Sequence, residues 1–144
     1  MSNQEILDVI LSRAADIVGD ITTDALSRFY QKFPNARTLF YEWDRRATDR
    51  LEAEMVSQIL YCLMYFGDRP TEIEIILRDT VPYHRLALDI PPNIFLGLIE
   101  ATCDVIFDTI PASAHDAIEF WVNLRTKICE MVECAAKDDW TYRK

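Results

Sequence analysis

Apolar residues recur every three or four positions along most of this chain, the spacing that gives a helix one buried face. Between residues 3 and 18 they are Ile6, Leu7, Ile10, Leu11, Ala14, Ile17 and Val18, and Gly19 closes the run. The next stretch, DITTDALSRFYQKF, has a capping residue at Asp20 or Thr22. It places Ile21, Ala25, Leu26, Phe29, Tyr30 and Phe33 on one side. Pro34 stops this second helix, because proline lacks an N–H and its ring clashes with the preceding turn. PNARTLF, residues 34–40, reads as a short tight helical turn. After the polar YEWDRRATD, a long helix is predicted from about residue 47 to 66, carrying Leu51, Met55, Ile59, Leu60, Cys62, Leu63 and Phe66. Gly67, Asp68 and Pro70 end it. A helix over about 71–80, with Ile73, Ile75, Ile76 and Leu77, is expected to end or kink around Pro82. Pro91 and Pro92 open an apolar helix over 92–108. Ser113 opens the last, over 112–137, with Ile118, Phe120, Trp121, Leu124, Ile128, Met131 and Val132. The tail KDDWTYRK is expected to fray.

Six longer helices and one short one predict an all-α domain spanning residues 1–144, with its helical core over about 3–137. The last two helices are expected to be the longest and most apolar. Unequal lengths favour an irregular packing over a four-helix bundle. Composition agrees: only three glycines occur among 144 residues, too few for the turns of an all-β chain.

Charge narrows the partners. A net charge of −9 repels phosphate backbones and anionic lipid, so neither nucleic acid nor a membrane surface is expected. No apolar run approaches the roughly 20 residues that span a bilayer, and the N-terminus lacks the features of a signal peptide. Cys62, Cys103, Cys129 and Cys134 form no CxxC pair. They read as reduced, half-buried thiols of a cytoplasmic protein rather than as disulfides or a zinc site. There is no GxGxxG, phosphate loop, catalytic triad or carboxylate cluster with metal-ligand spacing.

Three stretches, in order, carry a resemblance to a known family. The first is ITTDALSRFYQKFPNARTLF, residues 21–40. The second is His84, just ahead of DIPPNIFLGLIEAT. The third is AIEFWVNLRTKICEMV, with Trp121 early in the last helix. Together they resemble the globins, in particular bacterial single-domain haemoglobins and the haem domain of flavohaemoglobins, over about residues 3–137. The resemblance implies a globin-like fold of six to seven helices around haem b. It makes His84 the proximal iron ligand, Pro34 the helix-breaking proline and Phe40 the phenylalanine wedged against the haem. It puts Leu26, Leu51 and Met55 on the ligand side, with Tyr83, Leu86, Leu88, Ile90 and Phe95 as candidate pocket walls. A neutral imidazole suits the one strong axial bond that haem iron needs from a protein. The alternative for a lone histidine is a hydrogen-bonded structural role. His115 reads as a solvated or capping residue.

The ligand side departs from the family. Similar haemoglobins place a tyrosine in the second helix and a glutamine or other polar group in the long one. An ungapped match puts Leu26 at the tyrosine position, and Tyr30 reaches the pocket only after a four-residue shift. Gln58 faces inward only if the register slips. Met55 is either core or a sixth iron ligand, and Arg46 and Arg50 are either solvated or propionate partners. Arg125 and Glu130 do not reproduce the family's polar partners of the proximal histidine. The expectation is a protein that binds a diatomic gas (oxygen, nitric oxide or carbon monoxide) for storage, transport, scavenging or sensing, with haem-dependent turnover of nitric oxide or peroxide as an alternative. Turnover of nitric oxide or peroxide would need an external reductase. A homodimer through the last two helices is an expected assembly. The alternative is a globin-fold interaction module without haem, its acidic surface meeting a basic partner.

Overall fold

The computed structural model describes residues 2–43, 48–87 and 91–142. Within these, residues 42, 43, 48, 81–87 and 138–142 are described by their backbone alone. All regular structure among the described residues is α-helical. The helices are α1 (Asn3–Val18), α2 (Ile21–Lys32), α3 (Ala36–Trp43), α4 (Thr48–Tyr65), α5 (Pro70–Ala87), α6 (Pro92–Phe107) and α7 (His115–Tyr142).

Local chemistry sets the boundaries. The Ser2 hydroxyl accepts the Glu5 N–H at 3.2 Å and caps α1. Gly19 ends that helix at φ 75°, a left-handed conformation that a residue without Cβ adopts freely. One residue later the Asp20 carboxylate accepts the Thr22 N–H at 3.0 Å, which starts α2. Those bonds also hold the exposed Asp20 carboxyl below its usual pKa. Phe33 caps α2 and Pro34 prevents its continuation. Pro91 precedes α6, with Pro92 as its first residue.

Two boundaries differ from the sequence expectation. α5 does not end near residue 80 but continues through Pro82 to Ala87. Proline in a helix interior costs about 3 kcal/mol, so tertiary contact must offset it; α5 lies chiefly against α7. The last helix begins at His115 rather than at 112, and runs to Tyr142 through the tail expected to fray. A helix already formed gains one hydrogen bond per added residue, and such extension requires no apolar periodicity. The expected length order also changes. α7 is longest with 28 residues, but α4 and α5, at 18 each, exceed α6 at 16.

α6 is the hub. It packs most extensively against α2, then against α7, and also meets α4 and α5. Gly97 allows the α2 approach, since a Cβ there would lie 2.3 Å from the Phe33 ring. On the α7 side, the fully buried Trp121 donates its indole N–H to the Cys103 carbonyl at 3.0 Å. The core runs from Leu7 and Ile10 through Phe29, Phe40, Val56, Leu63, Ile73, Ile99 and Ile106 to Ile128 and Val132. No helix among the described residues is long and apolar enough to cross a membrane.

Candidate functional site

Among the described residues the helices form a markedly apolar cleft between α4 and α5, floored by α6. Met55, Gln58, Ile59 and Cys62 form its α4 wall, and Ile76, Leu77 and Thr80 its α5 wall. Ile94, Phe95, Leu98 and Ile99 of α6 lie beneath, and Phe40 of α3 and Ile128 of α7 complete the lining. The four α6 residues are spaced one, three and four apart, which brings them onto one helix face.

Its width follows from how the walls are held. α4 packs on α2 and α6, α5 packs on α7, and the two helices touch each other only sparsely. They are fastened at one end, beside the turn that joins them. There the Tyr61 hydroxyl donates to the Glu72 carboxylate at 2.7 Å. The Arg69 guanidinium lies 4.8 Å from the Tyr65 ring centre and 3.7 Å from Glu72. Counted to its open mouth the cleft holds about 580 Å³ of empty space, but room for the centre of a water-sized body is about 30 Å³. A water needs about 10–15 Å³ by that measure. The cleft therefore takes one or two small molecules as it stands, and a planar ring system only if α4 and α5 part.

Of the residues expected at a haem, the cleft gathers three: Phe40, Met55 and Phe95. Phe40 is 1% exposed, and its ring lies 6.1 Å from that of Phe29 in a stacked arrangement. Leu26 and Leu51 do not line the cleft; both are half-buried and pack against the core elsewhere. The reason is helical phase. α2 turns Ala25 and Phe29 inward, so Leu26 falls to the side, and α4 buries Glu52, Val56, Ile59 and Leu63, leaving Leu51 on its flank. Leu88 and Ile90 lie outside the described residues, as does Arg46. His84 belongs to α5, one helical turn beyond the cleft-lining Thr80, but its side chain is outside the described set, as are those of Tyr83 and Leu86. His115 is exposed as the first residue of α7.

Other members of the wall were not singled out beforehand. Cys62, Leu77 and Ile128 were read only as apolar helix positions, and Leu98 was not named. Gln58 does contribute to the lining, although its side chain is largely exposed. Burial pushes the Cys62 thiol up to about 11, so it stays protonated at neutral pH. Arg50 is exposed and pairs with Glu54 at 3.6 Å, one turn along the same helix.

Beside the cleft lies a polar pair that sequence reading missed. Glu52 is only 6% exposed, and its carboxylate accepts the Tyr30 hydroxyl at 3.0 Å. Burial, followed by that bond to Glu52, drives the Tyr30 hydroxyl well above its ordinary pKa. Tyr30 therefore remains a neutral donor committed to Glu52. The available signal was a glutamate in phase with Val56, Ile59 and Leu63, four, seven and eleven residues further on. On the opposite side of α6, Arg125 bridges Glu100 at 3.3 Å and Asp104 at 3.4 Å.

Cys62 and Cys103 are buried free thiols, Cys129 is half-buried and Cys134 is exposed, so the last departs from the expected half-buried set. Among the described residues no three His, Cys, Asp or Glu side chains are grouped as a metal cluster. Comparisons of the chain with family models, with curated proteins and with solved structures find no match.

Proposed function

We propose that this chain is a haem-binding globin that holds a diatomic gas at an iron ligated by His84. The observation that carries the proposal is the cleft: apolar on both walls and on its floor, bordered by Phe40, and lined on α5 by Thr80, four residues before His84 on the same helix. Few small ligands are as flat and apolar as a porphyrin, and a slot between two helices clasped at one end suits such a shape. Admission requires α4 and α5, which make few contacts with each other, to separate.

In this reading His84 would hold the iron through its imidazole. Phe40, Ile59, Leu77, Leu98 and Ile99 would surround the group and exclude water from it. The bound haem supplies an iron at which the gas coordinates. Any redox turnover would draw electrons from a separate reductase, and the unpaired thiols suit a cytoplasmic setting. The exposed Phe107 and Val122 support a homodimer built on α6 and α7.

The test is an absorption spectrum of the protein expressed with ample haem, beside His84→Ala. A Soret band in the native chain that is lost or much weakened in His84→Ala is the expected result. Equal haem content in the two proteins would overturn the assignment of His84. A second reading, a helical interaction module without haem, draws support from the roughly 30 Å³ of free space in the cleft. It would be adopted if no Soret band forms at all.

A further inference from the structure

We infer that this chain has a second binding site, a groove along the first half of α7 that takes a short, extended peptide with free ends and apolar side chains. The groove shares no lining residue with the α4–α5 cleft, and it is open whatever that cleft holds. One stripe of α7, from Asp116 to Lys127, forms its length. Ile6 of α1 and Phe66, just beyond α4, face that stripe. The groove leaves about 490 Å³ for the centre of a water-sized body, against about 30 Å³ in the cleft. An organic molecule therefore enters it without any helix moving.

Spacing on α7 orders the chemistry. Residues 116, 119, 123 and 127 recur every three or four positions, so they share one face. From the start of the helix they read carboxylate, carboxylate, amide, ammonium. None of these four side chains has a hydrogen bond or ion pair among the described residues. Elsewhere ion pairs join one helix to the next: Arg28 of α2 meets Asp108, and Arg125 of α7 meets Glu100 and Asp104 of α6. Asp116 has a local role, because a negative charge in the first turn offsets the positive pole of a helix. Glu119 stands a turn further on, where that effect has faded, and Lys127 is far from the end of α7 at Tyr142. Beneath the charges Ile6, Phe66, Phe120 and the buried Leu124 give the groove an apolar floor.

A complementary ligand follows from these positions. At 1.5 Å of rise per residue, Glu119 and Lys127 stand about 12 Å apart along α7. The ligand must carry a cation and an anion at that separation, an apolar body, and a hydrogen-bonding group halfway, opposite Asn123. An extended peptide of about four residues has all three, at about 3.3–3.6 Å per residue. Its N-terminal ammonium meets Glu119 and its C-terminal carboxylate meets Lys127. The Asn123 amide can donate to and accept from a central peptide group. Alternate side chains of an extended chain point to opposite sides, so half of them lie on the floor and half face solvent. A single amino acid is too short to reach both charges, and the terminus of a folded partner offers only one.

The test titrates the isotope-labelled full chain with alanyl-leucyl-alanyl-leucine and follows the backbone amide signals by NMR. Saturable shifts at Gly67, Phe120 and Asn123 are expected, with Ile59 and Leu98 of the cleft unmoved. Exposed ion pairs contribute little, so blocking either end of the peptide should weaken binding by about two- to fivefold. The penalty for amidating the carboxylate should disappear in Lys127→Gln, and most of the penalty for acetylating the amine should disappear in Glu119→Gln. Both substitutions lie on the exposed face of α7 and are expected to leave the fold intact. A doubly blocked peptide that binds as well as the free one would overturn the inference. So would an amidation penalty that persists in Lys127→Gln, shifts centred on the cleft, or no saturable shift in the groove at millimolar peptide.

Discussion

Removing the Tyr30 hydroxyl tests how the buried carboxylate of Glu52 is held. The phenyl ring of Tyr30→Phe keeps its contacts with Phe29 and Phe40, whose centroids lie 5.3 and 6.4 Å away, so packing is preserved. What is lost is one hydrogen bond at 3.0 Å to a carboxylate that is 6% exposed. Hydrogen bonds to charged groups contribute about 1.5–3 kcal/mol, and a buried acceptor left without its donor accounts for most of that loss. We therefore expect Tyr30→Phe to cost about 2 kcal/mol, read as a lower urea midpoint at unchanged slope. The double variant Tyr30→Phe, Glu52→Leu removes both polar partners and should recover most of the loss, since paired apolar replacement is nearly neutral. The coupling between the two sites should then exceed about 1 kcal/mol. A Tyr30→Phe cost below about 0.5 kcal/mol, typical of an ordinary surface change, would refute the account. It would mean that water reaches Glu52 and replaces the phenol.

Three further outcomes follow from the geometry. Gly97→Ala should destabilise by about 1–2 kcal/mol despite the better helix propensity of alanine, because its Cβ would stand 2.3 Å from the Phe33 ring; equal or higher thermal stability would mean that the ring moves aside freely. Trp121→Phe should cost about 2–3 kcal/mol through lost volume and the missing bond to the Cys103 carbonyl, measured by urea unfolding. Stability should also fall above pH 9. The buried Cys62 thiol keeps its proton up to about pH 11 in the native state while the unfolded chain ionises near 9, so from pH 9 to 11 the folded form binds more protons and loses ground. Below pH 9 both forms are protonated and this contribution is constant. Cys62→Ala should therefore show a shallower decline of the urea midpoint between those pH values, and an identical slope would count against burial as the cause.

The sequence made the helices legible through apolar spacing and punctuation. Gly19, Pro34 and the Pro91–Pro92 pair mark ends that the fold respects. Phe40, Met55 and Phe95, which the resemblance placed at a haem, do line the cleft. What spacing could not fix was rotational phase. Leu26 and Leu51 sit about one residue out of phase with the buried stripes of α2 and α4, and one residue turns a side chain by about 100°. Glu52 was passed over because a glutamate in an apolar stripe looks like a solvated position until its partner, Tyr30, is placed 22 residues away in sequence. The path of α5 through Pro82 was hidden for a related reason. Local chemistry argues for a stop, and only the long contact with α7 overrides it. The width of the cleft depends on how little α4 and α5 touch, a property of the assembled helices alone.

The central claim is that the α4–α5 cleft opens to hold one haem. Its most direct measurement is a haemin titration of the purified native chain followed at the Soret band, beside Ile76→Trp, which puts a bulky ring at a half-buried position of the α5 wall. The account predicts a Soret band that saturates at one haem per native chain. It predicts little or no such band for Ile76→Trp, with helix content unchanged by circular dichroism. A native chain that gives no saturating band, or a filled-cleft variant that takes up haem as well as the native one, would contradict it.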